Sequence, residues 1–132
     1  MEKSEIGPVA PLFIVRSVAE TLSFYSDKLG FEVTFQGPEP NDIFFGMVER
    51  GRAMFMFKAI DVEPVPNHTH DIGHGIAPWD AYVYAPDPDA LATEFAERGV
   101  QFHLELQDNS DNLRGFEVKD PDGHVLYFGR PN

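Results

Sequence analysis

PLFIVRSVAETLSFYSDKLGFEV, residues 11–33, reads in turn as an extended apolar run, a helix and a second strand. Ser17 and Glu20 fit a capping box, because the two side chains can each satisfy a free backbone N–H of the first turn. Gly30 stands after the helix, where a left-handed backbone is favoured. One helical face carries the apolar residues Val18, Leu22, Tyr25 and Leu29. The stretch therefore predicts an amphipathic helix between two strands.

The segment after this helix predicts three strands, and the second half of the chain repeats the whole order. Strand-like runs lie at 31–36, 42–49 and 52–58. A new apolar run lies at 80–85, and a second helix follows it. This helix has Asp87 as its N-cap and Pro88 as its first residue, and it ends at Gly99. Further strand-like runs follow at 101–106, 113–119 and 124–129. The turn before the last of them is Asp120-Pro121-Asp122-Gly123.

Each half therefore reads as βαβββ, and the repeat indicates an internal duplication. We predict an α+β fold in which two tandem βαβββ modules form a cup-shaped mixed β-sheet with the helices on its outer face. Residues 1–132 are expected to form a single domain. Module one covers about 8–59, a connector covers 60–78, and module two covers about 79–130.

Composition limits the classes of partner. The chain has 132 residues, is 42% hydrophobic and carries a formal charge of −12. This charge disfavours nucleic acid and anionic membranes, whereas it permits attraction of a cationic ligand. Disulfides and cysteine-ligated metals are excluded because cysteine is absent. No signal segment or membrane-length apolar run is evident, so a soluble cytoplasmic protein is expected.

Two stretches carry a family likeness. One is the quoted segment, with FY-x-x-x-LGF at 24–31, and the other is GFEVKDPDGHVLYFG at 115–129. Both resemble the vicinal oxygen chelate superfamily (glyoxalase, bleomycin resistance protein and dioxygenase) over roughly residues 8–130. The likeness is closest to bleomycin-resistance proteins, which are small, acidic, metal-free dimers that sequester a bulky cationic drug. It implies a homodimer, with the segment around Pro8 and Pro11 able to exchange between subunits.

Metal-dependent members of the superfamily place His or Glu at four strand positions. Carried over by the resemblance, these positions hold Ala10, Met56, Asp80 and Tyr127, with Trp79 in place of Asp80 if the register slips by one. Alanine and methionine offer no hard-cation ligand, and zinc or iron sites want three or more nitrogen or oxygen donors. No metal cofactor is expected.

Other polar residues offer a competing metal hypothesis. His68, His70 and His74 stand in the connector with chelate-like spacing, yet a solvated loop is the simpler interpretation, with His74 as a residue that could cover the cup. The remaining histidines are expected at the surface or at strand edges. Two mid-strand glutamates are expected to point to solvent, although a strand phase shifted by one residue would bring either of them to the cup. These residues are His103, His124, Glu105 and Glu117.

Strand alternation sorts the side chains that would line the cup. Small apolar residues at 81, 83 and 85 suit contact with a helix, so their neighbours face the cup. The residues predicted to bind a ligand are Leu12, Met54, Met56, Trp79, Asp80, Tyr82 and Tyr127. Methionine adapts to irregular shapes and tyrosine offers a flat face with a polar tip. The set suits a flat, aromatic or cationic molecule, although the same residues could simply fill the space between the modules.

Three functions remain open from the sequence. The first is metal-free binding or sequestration of a small aromatic or cationic molecule, as in antibiotic-resistance relatives. The alternative is a metal-dependent lyase, isomerase or dioxygenase of the same superfamily, so enzymatic activity is left undecided. A ligand-independent interaction module is the third.

Overall fold

The computed structural model describes residues 2–71 and 73–132, so Met1 and the connector residue Ile72 lie outside it. The first half of the described chain contains β1 (Leu12–Ile14), α1 (Val18–Asp27), β2 (Glu32–Glu39), β3 (Asp42–Arg50) and β4 (Ala53–Lys58). The second half contains β5 (Ala81–Tyr84), α2 (Pro88–Glu97), β6 (Phe102–Asp108), β7 (Leu113–Lys119) and β8 (Val125–Pro131). A short 3₁₀ turn at Asn67–Thr69 lies between the halves.

The strands of residues 2–71 and 73–132 form two four-stranded mixed sheets. The first sheet has the order β1-β4-β3-β2 and the second has the order β5-β8-β7-β6. In each sheet the edge strand β1 or β5 runs parallel to its neighbour, and the other pairings are antiparallel. The predicted α+β fold with tandem βαβββ modules is confirmed. No helix in this part of the chain has the length and apolar character needed to cross a membrane.

The helices begin and end at the residues that the sequence indicates. The Ser17 side chain accepts a hydrogen bond from the Glu20 backbone N–H at 3.2 Å. The Asp87 side chain accepts a hydrogen bond from the Ala90 backbone N–H at 3.1 Å. Gly30 and Gly99 have φ angles of +69° and +85°, the left-handed conformation that glycine adopts without strain.

Strand β1 is shorter than the predicted run of residues 9–15. Pro8 and Pro11 lack the backbone N–H that a strand would donate, so ladder pairing begins only at Leu12, opposite Met56. Val9 is 82% exposed. Residues 2–10 consequently lie outside any strand or helix.

Both modules contribute to a continuous hydrophobic core on the helix side of the sheets. Phe55 and Phe57 of the first sheet pack against Tyr25 of α1, and Phe13 packs against both phenylalanines. In the second module, the Phe95 ring of α2 contacts Phe116 and Phe128 edge to face. Burial of these rings is the main favourable term that holds each helix on its sheet.

A buried carboxylate joins the two modules. Asp120, 5% exposed, stands at the end of β7 and accepts a hydrogen bond from the Tyr25 hydroxyl of α1 at 3.0 Å. It also accepts the backbone N–H groups of Asp122 and His124 at 2.9 Å, which close the turn before β8. The same carboxylate therefore shapes a local turn and anchors a helix 95 residues away in sequence.

His124 is buried, so the prediction of a surface histidine is wrong. It is 4% exposed, stacks on Phe13 at 4.3 Å and places Nδ1 3.0 Å from Asp120 Oδ2. Burial alone would lower its pKa, but the Asp120 carboxylate outweighs burial, and the pKa lies above its ordinary value. This contact stabilises the fold at a pH below the unfolded pKa of histidine, and the contribution is lost as pH rises through the folded pKa.

A second contact between the modules involves Arg50, at the end of β3. Its guanidinium binds both carboxylate oxygens of Glu94 on α2, at 2.9 and 2.7 Å, and also donates to the Leu29 carbonyl. The Arg50 hydrogen bond, assisted by Arg98 and opposed by burial, lowers the pKa of Glu94 to about 2. The bidentate geometry fixes the orientation of the helix relative to the hairpin.

We expect Asp120→Asn to lower the free energy of unfolding by about 2–4 kcal/mol, since it breaks a buried, charge-assisted network. The pKa of His124, followed by NMR, should fall in the same variant because its counter-charge is gone. Asp111→Asn is the matched control, because Asp111 is exposed and its side chain holds none of these contacts. Equal stability of the two variants in urea unfolding would contradict the role given to Asp120.

Candidate functional site

The second sheet presents a row of side chains on the face opposite α2. Tyr82, Tyr127, Glu117 and Leu104 are register partners across β5, β8, β7 and β6. The neighbouring residues Val83, Phe116 and Phe128 point the other way into the core. Alternation along the strands thus separates an apolar helix side from a face with aromatic and acidic groups.

Three aromatic rings gather on this face. Trp79 stacks on Tyr127 with ring centres 4.6 Å apart, and Tyr82 stacks on Tyr127 at 5.7 Å. Trp79 and Tyr82 also lie 5.7 Å apart. Tyr82 is 42% exposed, whereas Tyr127 is 1% exposed, so Tyr127 is enclosed while Tyr82 faces solvent. We call Trp79, Tyr82 and Tyr127 the aromatic face.

The Tyr127 ring lies over a pair of glycines. Gly115 and Gly129 are opposite each other on β7 and β8. A Cβ atom at either position would come within 2.7 Å of the Tyr127 ring. The absence of side chains there lets the ring lie close against the strands instead of standing upright.

The Tyr127 hydroxyl is buried and has no hydrogen-bond partner among the described residues. Burial raises its pKa, and the nearby Tyr82 and Glu117 raise it further. The group is therefore a neutral phenol that can donate one hydrogen bond and accept others. An unsatisfied buried polar group of this kind is uncommon and costs free energy.

Glu117 contradicts its predicted exposure to solvent. It is 8% exposed, and its Oε2 accepts a hydrogen bond from Trp79 Nε1 at 3.1 Å. Its Oε1 lies 3.8 Å from Nε2 of His103, which is itself partly exposed. Alternation with the buried Phe116 and Val118 does place Glu117 on the opposite face. That face is covered by the Trp79 ring, which a local pattern could not indicate.

The first sheet carries an apolar row in the equivalent place. Leu12, Met56, Met47 and Phe35 are register partners across β1, β4, β3 and β2. Met54 lies two residues before Met56 and on the same face of β4. The predicted residues Leu12, Met54 and Met56 therefore share a surface. Its row is wholly apolar, whereas the row of the second sheet contains two tyrosines and a carboxylate.

Asp80, one of the residues predicted to bind a ligand, uses both carboxylate oxygens to hold backbone groups. Its Oδ2 accepts the Val125 N–H at 2.8 Å, and its Oδ1 accepts the Asn67 N–H at 2.7 Å. Asn67 also donates to the Trp79 carbonyl at 3.0 Å. Asp80 thus ties the connector to the start of β8, and both its oxygens are occupied by backbone groups.

Two cavities bring predicted residues of the two sheets together. The larger, of about 810 Å³, lies between the start of β4 and the free edge of β5, and both Met54 and Tyr82 line it. The smaller, of about 370 Å³, is lined by Leu12 and Asp80 together with His124. Met56, Trp79 and Tyr127 lie outside the linings of both. The predicted set is therefore divided between an aromatic face, an apolar row and two cavities.

The connector histidines do not assemble into a metal-binding group in residues 2–71 and 73–132. His68 Nε2 lies 2.9 Å from the Gly123 carbonyl, and His74 is 84% exposed beside Asp71. The described residues that do lie close enough to share an ion are Asp120, Asp122 and His124, whose ligand atoms are within 4.8 Å of one another. Tyr25, Arg16 and the backbone of the turn already occupy these groups.

The sequence model of the Glyoxalase/Bleomycin resistance protein/Dioxygenase superfamily matches residues 6–128. The chain belongs to this superfamily. The matched residues include both βαβββ modules of the chain. No curated protein matches the chain in sequence.

Several solved structures share the fold of this chain. TioX from Micromonospora sp. ML1 is 20% identical with a TM-score of 0.71, over 97% of this chain and 100% of that one. The bleomycin-binding protein of bleomycin-producing Streptomyces verticillus, complexed with copper(II)-bleomycin, is 24% identical with a TM-score of 0.69, over 96% and 97%. A glyoxalase-related enzyme from Clostridium phytofermentans is 13% identical with a TM-score of 0.73, over the whole of both chains. Identities this low establish the fold alone.

Removal of the Tyr127 hydroxyl should leave stability unchanged or raise it by up to about 1 kcal/mol, because Tyr127→Phe deletes a buried group without a partner. Tyr25→Phe is the matched control, since its hydroxyl is equally enclosed but donates to Asp120. It should destabilise the protein by about 1–3 kcal/mol. Thermal and urea unfolding of both variants measure the contrast, and a clear loss of stability in Tyr127→Phe would contradict the assignment.

Proposed function

We propose that this protein binds and sequesters a small planar aromatic molecule, without a metal, on the aromatic face. The stacked rings of Trp79, Tyr82 and Tyr127 carry the proposal. Tyr82 is the most exposed of the three and also lines the larger cavity, so its ring offers a flat apolar surface there. Offset stacking on such rings is worth about 0.5–1.5 kcal/mol per pair beyond the area buried. An antibiotic with a flat ring system is the class of ligand that we favour, in line with the bleomycin-binding fold relatives.

The side chains at the four family ligand positions support a metal-free site. Ala10 has no donor atom, and Met56 offers only a thioether. Both Asp80 oxygens accept backbone N–H groups. The Tyr127 phenol is held neutral by its raised pKa. A Zn²⁺, Mn²⁺ or Fe²⁺ ion wants three or more nitrogen or oxygen donors, and this set does not fit one.

Isothermal titration with metal-free bleomycin, copper(II)-bleomycin and planar intercalating drugs tests the proposal, with Trp79 emission as a second signal because it is the single tryptophan. We expect at least one planar ligand to bind. Tyr82→Ala should weaken it about three- to tenfold, as expected for loss of one aromatic contact. Phe44→Ala is the control, since Phe44 is an exposed aromatic residue of β3 that lines neither cavity and has no ring contact with the aromatic face.

Two outcomes would contradict the proposal. One is the absence of binding tighter than millimolar across the panel. The other is stoichiometric metal in protein purified without a chelator, which would favour the alternative of a metal-dependent lyase, isomerase or dioxygenase.

We also propose that the protein is a homodimer in which each N-terminal segment docks on its partner. Among residues 2–71 and 73–132, β5 is an edge strand, and β1 pairs with β4 from Met56 onward. Ala53–Phe55 therefore have no strand partner on that side within the described part of the chain. The larger cavity lies between these two edges. Residues 2–10 are outside any strand and expose Ile6 and Val9 to 89% and 82%. A segment without secondary structure that exposes apolar side chains can add to unpaired strand edges.

Light scattering after size exclusion should give twice the chain mass of 14.8 kDa. The double variant Ile6→Ser and Val9→Ser should shift the protein toward the monomer, because the apolar anchors of the segment are lost. Lys3→Ser with Glu5→Ser is the control, which changes the same segment without changing net charge. A monomeric wild-type protein at high micromolar concentration would overturn the dimer proposal.

A further inference from the structure

Three of the four methionines of the chain lie together on the first sheet. Met47 of β3 and Met56 of β4 are register partners, and Met54 lies two residues before Met56 on the same face of β4. Directly opposed residues of an antiparallel pair have Cβ atoms about 4.5–5.5 Å apart, and positions i and i+2 of a strand are about 7 Å apart. Because methionine has three rotatable side-chain bonds, the three sulfur atoms can converge on one point. We call Met47, Met54 and Met56 the methionine trio.

The hydrophobic core does not require the methionine trio. Its members alternate along their strands with Val48, Phe55 and Phe57, which are buried on the helix side. Within residues 2–71 and 73–132, no methionine belongs to the core cluster or to the apolar residues packed against it. All three are partly exposed, and Met54 lines the larger cavity, so an ion in solvent can reach them. Core packing therefore does not explain why these three side chains are grouped.

Thioether sulfur selects soft metal ions. Cu(I) accepts the sulfur of cysteine and methionine, whereas magnesium, calcium and manganese prefer oxygen ligands. The chain has no cysteine, so methionine supplies every sulfur ligand that it can offer. A thioether also has no proton to lose, unlike a thiol or an imidazolium, so its binding of a metal does not compete with protonation.

The charges beside the methionine trio favour a cation at the Met54 end. Glu49 is the register partner of Met54 and shares its face, and Lys58 lies at the other end, two residues beyond Met56. Both charged side chains are partly exposed. The formal charge of −12 on the whole chain also raises the local concentration of cations.

We infer that the methionine trio binds one soft monovalent cation, Cu(I), as a three-sulfur site on the first sheet. The inference goes beyond the proposed function, because it uses no residue of the aromatic face and no ligand for a hard metal. The site also differs from the family's metal site. Met56 stands at one of the four family ligand positions, whereas Met47 and Met54 stand at none of them.

Silver(I) and Cu(I) are the two probes, and Ag(I) serves as a soft monovalent ion that is stable in air. Protein labelled with carbon-13 at the methionine methyl groups is titrated with Ag(I) in chloride-free buffer and followed by NMR. Affinity for Cu(I) is measured without oxygen by competition with bathocuproine disulfonate. Met47→Leu and Met54→Leu each remove one sulfur while keeping apolar character and similar volume. Phe44→Leu is the matched control, since Phe44 is exposed on β3 and lies outside the trio.

We expect the methyl signals of the trio to shift together and to saturate at one Ag(I) per chain. Each leucine variant should weaken Cu(I) by about tenfold or more, because one of three soft ligands is lost. Glu49→Gln should weaken Cu(I) less, since it removes only a neighbouring charge, and Phe44→Leu should change nothing. Binding should persist at pH 5, where an ordinary histidine is protonated and no longer a ligand. Zinc(II) should shift none of the three methyl signals.

Several outcomes would overturn this inference. One is an Ag(I) titration of the wild type that shifts none or only one of the three methyl signals at micromolar concentration. Another is Cu(I) affinity that both leucine variants retain in full. Loss of binding at pH 5 would assign the ion to histidines instead. Tyr82→Ala should leave the Cu(I) affinity unchanged, so the site on the first sheet and planar-ligand binding on the aromatic face can fail separately.

Discussion

Asp120 accepts hydrogen bonds from the Tyr25 hydroxyl of α1 and from the backbone and ring of His124 while shielded from water. An unpaired carboxylate in that position would be strongly destabilising, so the turn, the helix and the histidine must assemble together. Through His124 the contact extends to Phe13 of β1. The relative position of the two modules therefore depends on a charge that is satisfied only in the complete fold.

The duplicated architecture gives two equivalent surfaces with different chemistry. Register places Leu12 and Met56 of the first sheet where Tyr82 and Tyr127 stand in the second. The first row is apolar, whereas the second row contains two tyrosines and a buried acid. The paired glycines at 115 and 129 are what permits Tyr127 to lie against its own strands. The lack of side chains at these two positions thus leaves a flat strand surface on which the Tyr127 ring lies.

Much of the fold could be predicted because its signals are local. The capping serine and aspartate, the two left-handed glycines and strand alternation all act within a few residues, and each is observed. The candidate site was predictable in part. Trp79, Tyr82 and Tyr127 do come together. Asp80 also holds the connector with both carboxylate oxygens. Glu117 and His124 are buried where exposure was expected, because the aromatic residues that cover them are distant in sequence.

The sequence was sufficient for the order of elements, the duplication, the superfamily and the residue types at the family's ligand positions, since each depends on short patterns repeated along the chain. The tertiary structure alone determined which polar groups lose water and which find a partner. Trp79 covers Glu117 from 38 positions away, and Tyr25 reaches Asp120 across 95. Burial is a property of neighbours in space, and long-range packing sets those neighbours only after both modules have folded together.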